Sequence, residues 1–246
     1  MFVAAIIHAL LLLAYYALFC ALIPMLMKSV FRLPDEYPRK FQHISYAMSI
    51  LLIILIAESW YYAIFASAIL ILFAFPFLFF LERTPWYPRN FVDRDIKGGE
   101  MRRSMLLVQL SYIILITVFW GILGEGYRYL IVIAVITWGY GDAAAALFGK
   151  AFGKTKIHVI LVDPSKTWFG SNAMTLAALV TLFLMLFFYA RFNWYVSLLI
   201  ALIVAPVSSA LELFSKKGTD TLFVPVGTAV TLYIWVLIFT RVGWIS

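Results

Sequence analysis

The sequence predicts an all-α polytopic membrane protein of about eight transmembrane helices, and three observations predict it. Of its 246 residues, 65% are hydrophobic, against about 45–50% in a soluble globular domain. Apolar runs recur at lengths near the roughly 20 residues that carry a helix across a bilayer. The breaks between those runs hold most of the charge, proline and glycine. We find no internal repeat and no low-complexity tail, so residues 1–246 read as a single integral membrane domain.

Taken in order, the expected spans are 3–27, 42–57, 59–81, 104–122, 128–149, 168–190, 194–214 and 222–241. The first has no basic segment before it, and at about 25 residues it suits a permanent span better than a cleaved leader. The second is short, because Arg39 and Lys40 place its start at Gln42. Lys28–Lys40, Glu82–Arg103, Lys150–Lys166 and Ser215–Thr221 form the basic connections, while those near Glu58, Gly121–Arg128 and Arg191–Trp194 are short. Sixteen of the nineteen Lys and Arg fall in the basic set, leaving Arg128, Arg191 and Arg241 for the other side. Basic loops stay in the cytoplasm, so both termini are expected on the non-cytoplasmic side. Trp60, Tyr61, Tyr62, Trp194 and Tyr195 mark the opposite interface as an aromatic belt.

Composition narrows the function classes. The net charge of +7 is explained by membrane orientation and phosphate contacts, so no nucleic-acid partner is expected. Cys20 is the one cysteine, which excludes an intrachain disulfide. His8, His43 and His158 lack metal-ligand spacing and a cysteine partner, so zinc is not expected. A nucleophile elbow of the form GxSxG is absent.

Four clusters carry candidate chemistry. The first centres on Asp142. A carboxylate inside a span costs about 2.5–3.5 kcal/mol on insertion scales and usually faces a cavity or a partner. Asp142, Ala146, Gly149 and Gly153 share one helical face, bare except for the carboxylate. Such a face admits a phosphate, a metal ion or a second helix, and Gly149 and Gly153 also form a small-xxx-small packing pattern. Gly153-Lys154-Thr155 approaches a P-loop ending, but the preceding glycine is misplaced by one residue and a membrane helix replaces the required strand. Glycine amides and lysines can still hold a polyphosphate.

The second cluster runs from Lys166 and Thr167 through Gly170, Ser171 and Asn172, where the sixth span begins. A helix N-terminus beside a lysine and hydroxyls is an anion site, with Ser171 or Asn172 as the expected cap. The third is Glu212 to Asp220, two carboxylates flanking lysines with Gly218 at the turn. Asp142, Glu212 and Asp220 together suit Mg²⁺, which takes few carboxylates plus phosphate oxygens and waters. The fourth is Arg39-Lys40-Phe41-Gln42-His43, a cationic pair for phosphate and an imidazole for proton transfer.

In this order the clusters resemble the polyprenol kinase family, which includes dolichol kinase, phytol kinase and CTP-dependent diacylglycerol kinase and is related to phosphatidate cytidylyltransferases. The family's Arg-Lys-x-x-His pattern resembles Arg39-Lys40-Phe41-Gln42-His43, and its Gly-Asp pattern with later glycines resembles Gly141-Asp142, Gly149 and Gly153. Its Lys-Ser/Thr-x-Glu-Gly-Ser pattern is similar to Lys166-Thr167-Trp168-Phe169-Gly170-Ser171, and its late Glu, Asp-Asn and Val-Pro to Glu212, Asp220-Thr221 and Val224-Pro225. Phe169 stands where the family has Glu, Thr221 where it has Asn, and Ala47 where a Gly is common.

The resemblance implies a kinase that transfers the terminal phosphate of CTP to a membrane lipid alcohol, most simply an isoprenoid one, at a cytoplasm-facing site with Mg²⁺. Asp142, His43 and Lys166 are then the candidate catalytic residues. Arg39, Lys40, Gly149, Gly153, Lys154, Thr167 and Gly170 would hold nucleotide phosphates, and Asp142, Glu212 and Asp220 the metal. Diacylglycerol as acceptor, or cytidylyl transfer to make a CDP-lipid, is the nearest alternative. An ion-coupled transporter is the alternative from another class. It requires polar groups spread through membrane depth, whereas the polar residues of this sequence bunch at one face.

Overall fold

The computed structural model describes residues 2–93, 99–216 and 218–245. Of the basic residues counted above, Arg94, Lys97 and Lys217 lie outside that set. Eight helices are long and apolar enough to cross a membrane. They are α1 (Ile6–Ser29), α2 (Glu36–Ile56), α3 (Trp60–Leu81), α4 (Glu100–Ile122), α5 (Glu125–Phe152), α6 (Trp168–Tyr189), α7 (Trp194–Phe214) and α8 (Asp220–Arg241). The chain is an integral, multi-pass membrane protein. Among the described residues there is no strand, and an isolated bridge joins Lys156 to Thr167.

The expected boundaries hold closely except at α2, which starts at Glu36 instead of residue 42. Charge misled the reading there. Pro38 sits in the first turn, where a missing N–H costs nothing. Arg39 is kept inside the helix by ion pairs, Nη2 to Glu36 Oε2 at 2.5 Å and Nη1 to Glu100 Oε1 at 3.3 Å. Arg39 and Lys40 are helical and buried, not loop residues.

The chain divides into two compact units, Met1–Ile122 and Leu123–Ser246. In the first, α3 packs on α1 and α4, and α2 packs chiefly on α1. A buried polar network lies near the middle of α1, α2 and α4. Gln109 Nε2 donates to Tyr16 OH at 2.5 Å, Tyr16 OH meets Ser49 Oγ at 3.2 Å, and Tyr112 OH donates to the Tyr46 carbonyl at 2.5 Å. Polar groups are therefore not confined to one face, contrary to expectation. Tyr and Gln read as apolar or loop-like in a hydropathy pattern, so the network was hidden among Phe and Leu.

The second unit is a ring of four helices, in which α5 packs on α6 and α8, and α7 packs between α6 and α8. Its core helix is α5, buried continuously from Leu130 to Gly139. Interhelical hydroxyl pairs tie the ring, Ser171 Oγ to Ser209 Oγ at 3.1 Å and Ser208 Oγ to Thr228 Oγ1 at 2.8 Å. Small hydrogen-bonding residues let membrane helices approach closely and hold them there.

Candidate active site

At one end of the α5–α8 ring, three of the four expected clusters come together. Asp142 projects from α5 and is buried. Lys166 precedes the first residue of α6, and its Nζ lies 2.8 Å from Glu212 Oε1 at the end of α7. The same Nζ donates to the main-chain carbonyl of Glu212. Asp142 and Asp220 both lie within electrostatic reach of the Glu212 carboxyl. Asp220 is the first residue of α8, where the helix dipole favours a carboxylate. Gly218 makes the expected turn before it, with φ at +83°.

The sequence separations among these groups are large, and topology closes them. Successive helices run antiparallel, so the end of α5, the start of α6, the end of α7 and the start of α8 fall on one side. Three carboxylates and a lysine are thereby concentrated at the bundle end. Lys166 is a counter-ion held by two contacts to Glu212, one to its carboxylate and one to its main-chain carbonyl.

Of the uses open to the bare glycine face, the structure shows close approach of a second helix. A Cβ on Gly153 would lie 2.3 Å from Thr167 Oγ1, and one on Gly149 would lie 3.3 Å from both Thr167 Oγ1 and the Gly170 Cα. A Cβ on Gly170 would come within 2.8 Å of the Ala145 carbonyl. At Gly149, Gly153 and Gly170 the start of α6 thus packs directly against the end of α5. Thr167 caps α6 by accepting the Gly170 N–H at 3.1 Å. The cap is Thr167 and not Ser171 or Asn172, because α6 begins at Trp168 and both of those residues already lie inside it, with Ser171 bonded to Ser209 of α7.

Residues 153–167 fold back on themselves to bring Lys166 into place. Ile157 N–H donates to the Lys166 carbonyl at 3.0 Å, and Trp168 N–H to the Thr155 carbonyl at 3.2 Å. Ile157 and Val162 are buried beneath this loop, while Lys154 is exposed on it. Phe169, at the position of the family carboxylate, is exposed and packs on Phe152 with ring centroids 5.5 Å apart.

Among the described residues, no group of three His, Cys, Asp or Glu side chains is arranged to hold a metal ion unaided. Asp142, Glu212 and Asp220 are therefore not a preformed cage, because Glu212 is engaged by Lys166. Arg39, Lys40 and His43 all lie on α2 of the first unit and are buried.

Ser208 and Ser209 went unremarked in the sequence, although they tie α7 to α8 and α6 beside Glu212. Their signal was a serine pair three and four residues before a glutamate, hence on its helical face.

A model of the cytidylyltransferase family matches residues 1–216. The chain is 29% identical over 209 residues to a phytol kinase of Synechocystis sp., covering 82% of each chain. No solved structure matches. With its motifs in the order of polyprenol kinases and a phytol kinase among its relatives, the chain belongs to the cytidylyltransferase family and, within it, groups with the polyprenol kinases.

Proposed function

We propose that this protein is a membrane-embedded kinase that transfers the terminal phosphate of CTP to an isoprenoid lipid alcohol. The observation that carries the proposal is the gathering of Asp142, Asp220 and the Lys166–Glu212 pair at one end of the α5–α8 ring. A soluble nucleotide and a membrane-held hydroxyl can meet only at an interface, and this is a helix-end site. Its loops belong to the basic set, so the site faces the cytoplasm in this reading.

The reaction is an in-line displacement. The alcohol oxygen bonds to the terminal phosphorus, the bond from that phosphorus to the β–γ bridging oxygen breaks, and CDP leaves. The hydroxyl proton passes to a general base, for which Asp142 is the first candidate and His43 the second. Catalysis of this kind is mostly positioning and charge neutralisation. Lys154, exposed on the loop, supplies positive charge for the approaching polyphosphate. Arg39 and Lys40 are assigned to phosphate neutralisation, to be tested by their own substitutions. Lys166 orients Glu212 and offsets the carboxylate charge that would repel the nucleotide.

Asp142 and Asp220 fit Mg²⁺, which retains waters and phosphate oxygens around one or two carboxylates. When bound, the ion neutralises charge on the nucleotide phosphates. Glu212 is left to Lys166 in this assignment.

The test is purified protein in lipid with CTP labelled separately at its α- and γ-phosphates, a panel of lipid alcohols and the corresponding phosphorylated lipids. The γ-label should pass to an isoprenoid alcohol, with CDP released. A second reading, cytidylyl transfer to a phosphorylated lipid, is favoured by the description of the matching family model. That reaction moves the α-label into lipid and releases pyrophosphate, an outcome that overturns the kinase reading.

A further inference from the structure

Helix α7 presents two different stripes at its site end. Ala205, Ser208, Ser209 and Glu212 are buried, with Ser208 and Ser209 bonded to the neighbouring helices. Val207, Ala210, Leu211 and Phe214 recur at helical spacing on the adjacent stripe. With Phe223 of α8 they wall a cavity of about 510 Å³, a size usual for small-molecule sites. The cavity closes against Ser215, Lys216 and Thr219, in the turn between Glu212 and Asp220.

This groove is amphipathic along its length. Its sides are aliphatic and aromatic, and Val207, Phe214 and Phe223 are exposed on helices long and apolar enough to cross a membrane. A lipid can therefore enter sideways without crossing water. Its end holds a cation and two hydroxyl residues, and the two flanking carboxylates belong to the proposed active site. Polar lining at one end and hydrocarbon elsewhere matches a molecule with one apolar chain and one small polar head.

We propose that the α7–α8 groove binds the hydrocarbon chain of the lipid-alcohol substrate and directs its hydroxyl to the Glu212–Asp220 end. The proposal rests on the kinase reading and adds the acceptor subsite and the residues that select chain length. Leu211 sets the depth of the groove. Its Cδ1 occupies the space beside Gly227, where an added Cβ would lie 2.4 Å away. Substitution of Gly227 by Ala therefore drives the Leu211 tip toward the cavity. Ala210 lies on the exposed stripe, so a larger residue there fills the groove without entering the packed ring.

The experiment uses the full chain in vesicles with a photoreactive twenty-carbon isoprenoid alcohol. Crosslinks should map to Ala210, Phe214 or Phe223, and excess unlabelled isoprenoid alcohol should compete them away while diacyl phospholipid does not. Competition by diacyl phospholipid, or labelling elsewhere, overturns the proposal. In turnover, Ala210→Trp should raise KM for the twenty-carbon alcohol about tenfold relative to a five-carbon prenyl alcohol, the scale of lost apolar contacts. Gly227→Ala should act in the same direction more weakly, and equal effects on both alcohols for both variants overturn the subsite. Crosslinking needs no turnover, so competed labelling of an inactive protein would sink the kinase reading while sustaining the groove.

Discussion

Lys166 and Glu212 form a pair whose members are each tolerable only because of the other. Glu212 sits at a helix end with little exposure, and Lys166 reaches it from 46 positions away in the chain. Removing one partner strands the other in a poorly solvated position, whereas removing both leaves no uncompensated charge. Lys166→Met alone should therefore destabilise the protein by about 3 kcal/mol. The double variant Lys166→Met/Glu212→Leu should recover most of that loss in thermal unfolding in detergent, while remaining catalytically impaired. Asp142 is the opposite case, since its importance is visible locally as a carboxylate within an apolar run. Asp142→Asn keeps the shape and removes the charge and the proton acceptor. We expect a fall in kcat of about 10²–10⁴-fold with little change in melting temperature. Wild-type turnover by that variant would remove Asp142 from the mechanism.

Packing between elements explains what the glycines at the end of α5 are for. Gly153 and Gly149 face Thr167 and Gly170 so closely that α6 starts in the space their side chains would fill. The sequence permitted either a phosphate or a helix on that face, because small residues admit both. Only the placement of α6 decides between them. Gly153→Ala should cost about 1–3 kcal/mol by overpacking, since its Cβ would meet both Thr167 and the Gly149 carbonyl. Gly126→Ala, with nothing within 4 Å of an added Cβ, is the matched control and should unfold within a degree or two of wild type. Equal melting temperatures for the two variants would contradict the packing assignment. The early start of α2 has a related cause. Arg39 belongs to the helix because Glu36 and Glu100 neutralise it, and Glu100 lies 61 positions away.

For the whole molecule, alternation of long basic and short connections across eight helices predicts sidedness. Cys20 is buried, so Cys20→Ala provides a background for single introduced cysteines. Thr84→Cys and Ser165→Cys lie in exposed positions of the basic connections, and Glu125→Cys and Asn193→Cys in the short ones. A membrane-impermeant maleimide added to intact cells should label the second pair, and the first pair only after permeabilisation. The reverse pattern would invert the topology and move the proposed site to the other side of the membrane.

Most of the architecture was legible without coordinates, because hydropathy acts locally and eight apolar stretches of spanning length each report themselves. The candidate residues were legible by type for the same reason, as charges and glycines out of place in lipid. Their relationships were not. That Lys166 meets Glu212, that Thr167 packs on the glycine face, and that Tyr16, Ser49 and Gln109 join near the middle of their helices are contacts between distant segments. Hydropathy is a property of a segment, whereas a hydrogen bond or a filled gap is a property of two, and only the tertiary structure supplies the second.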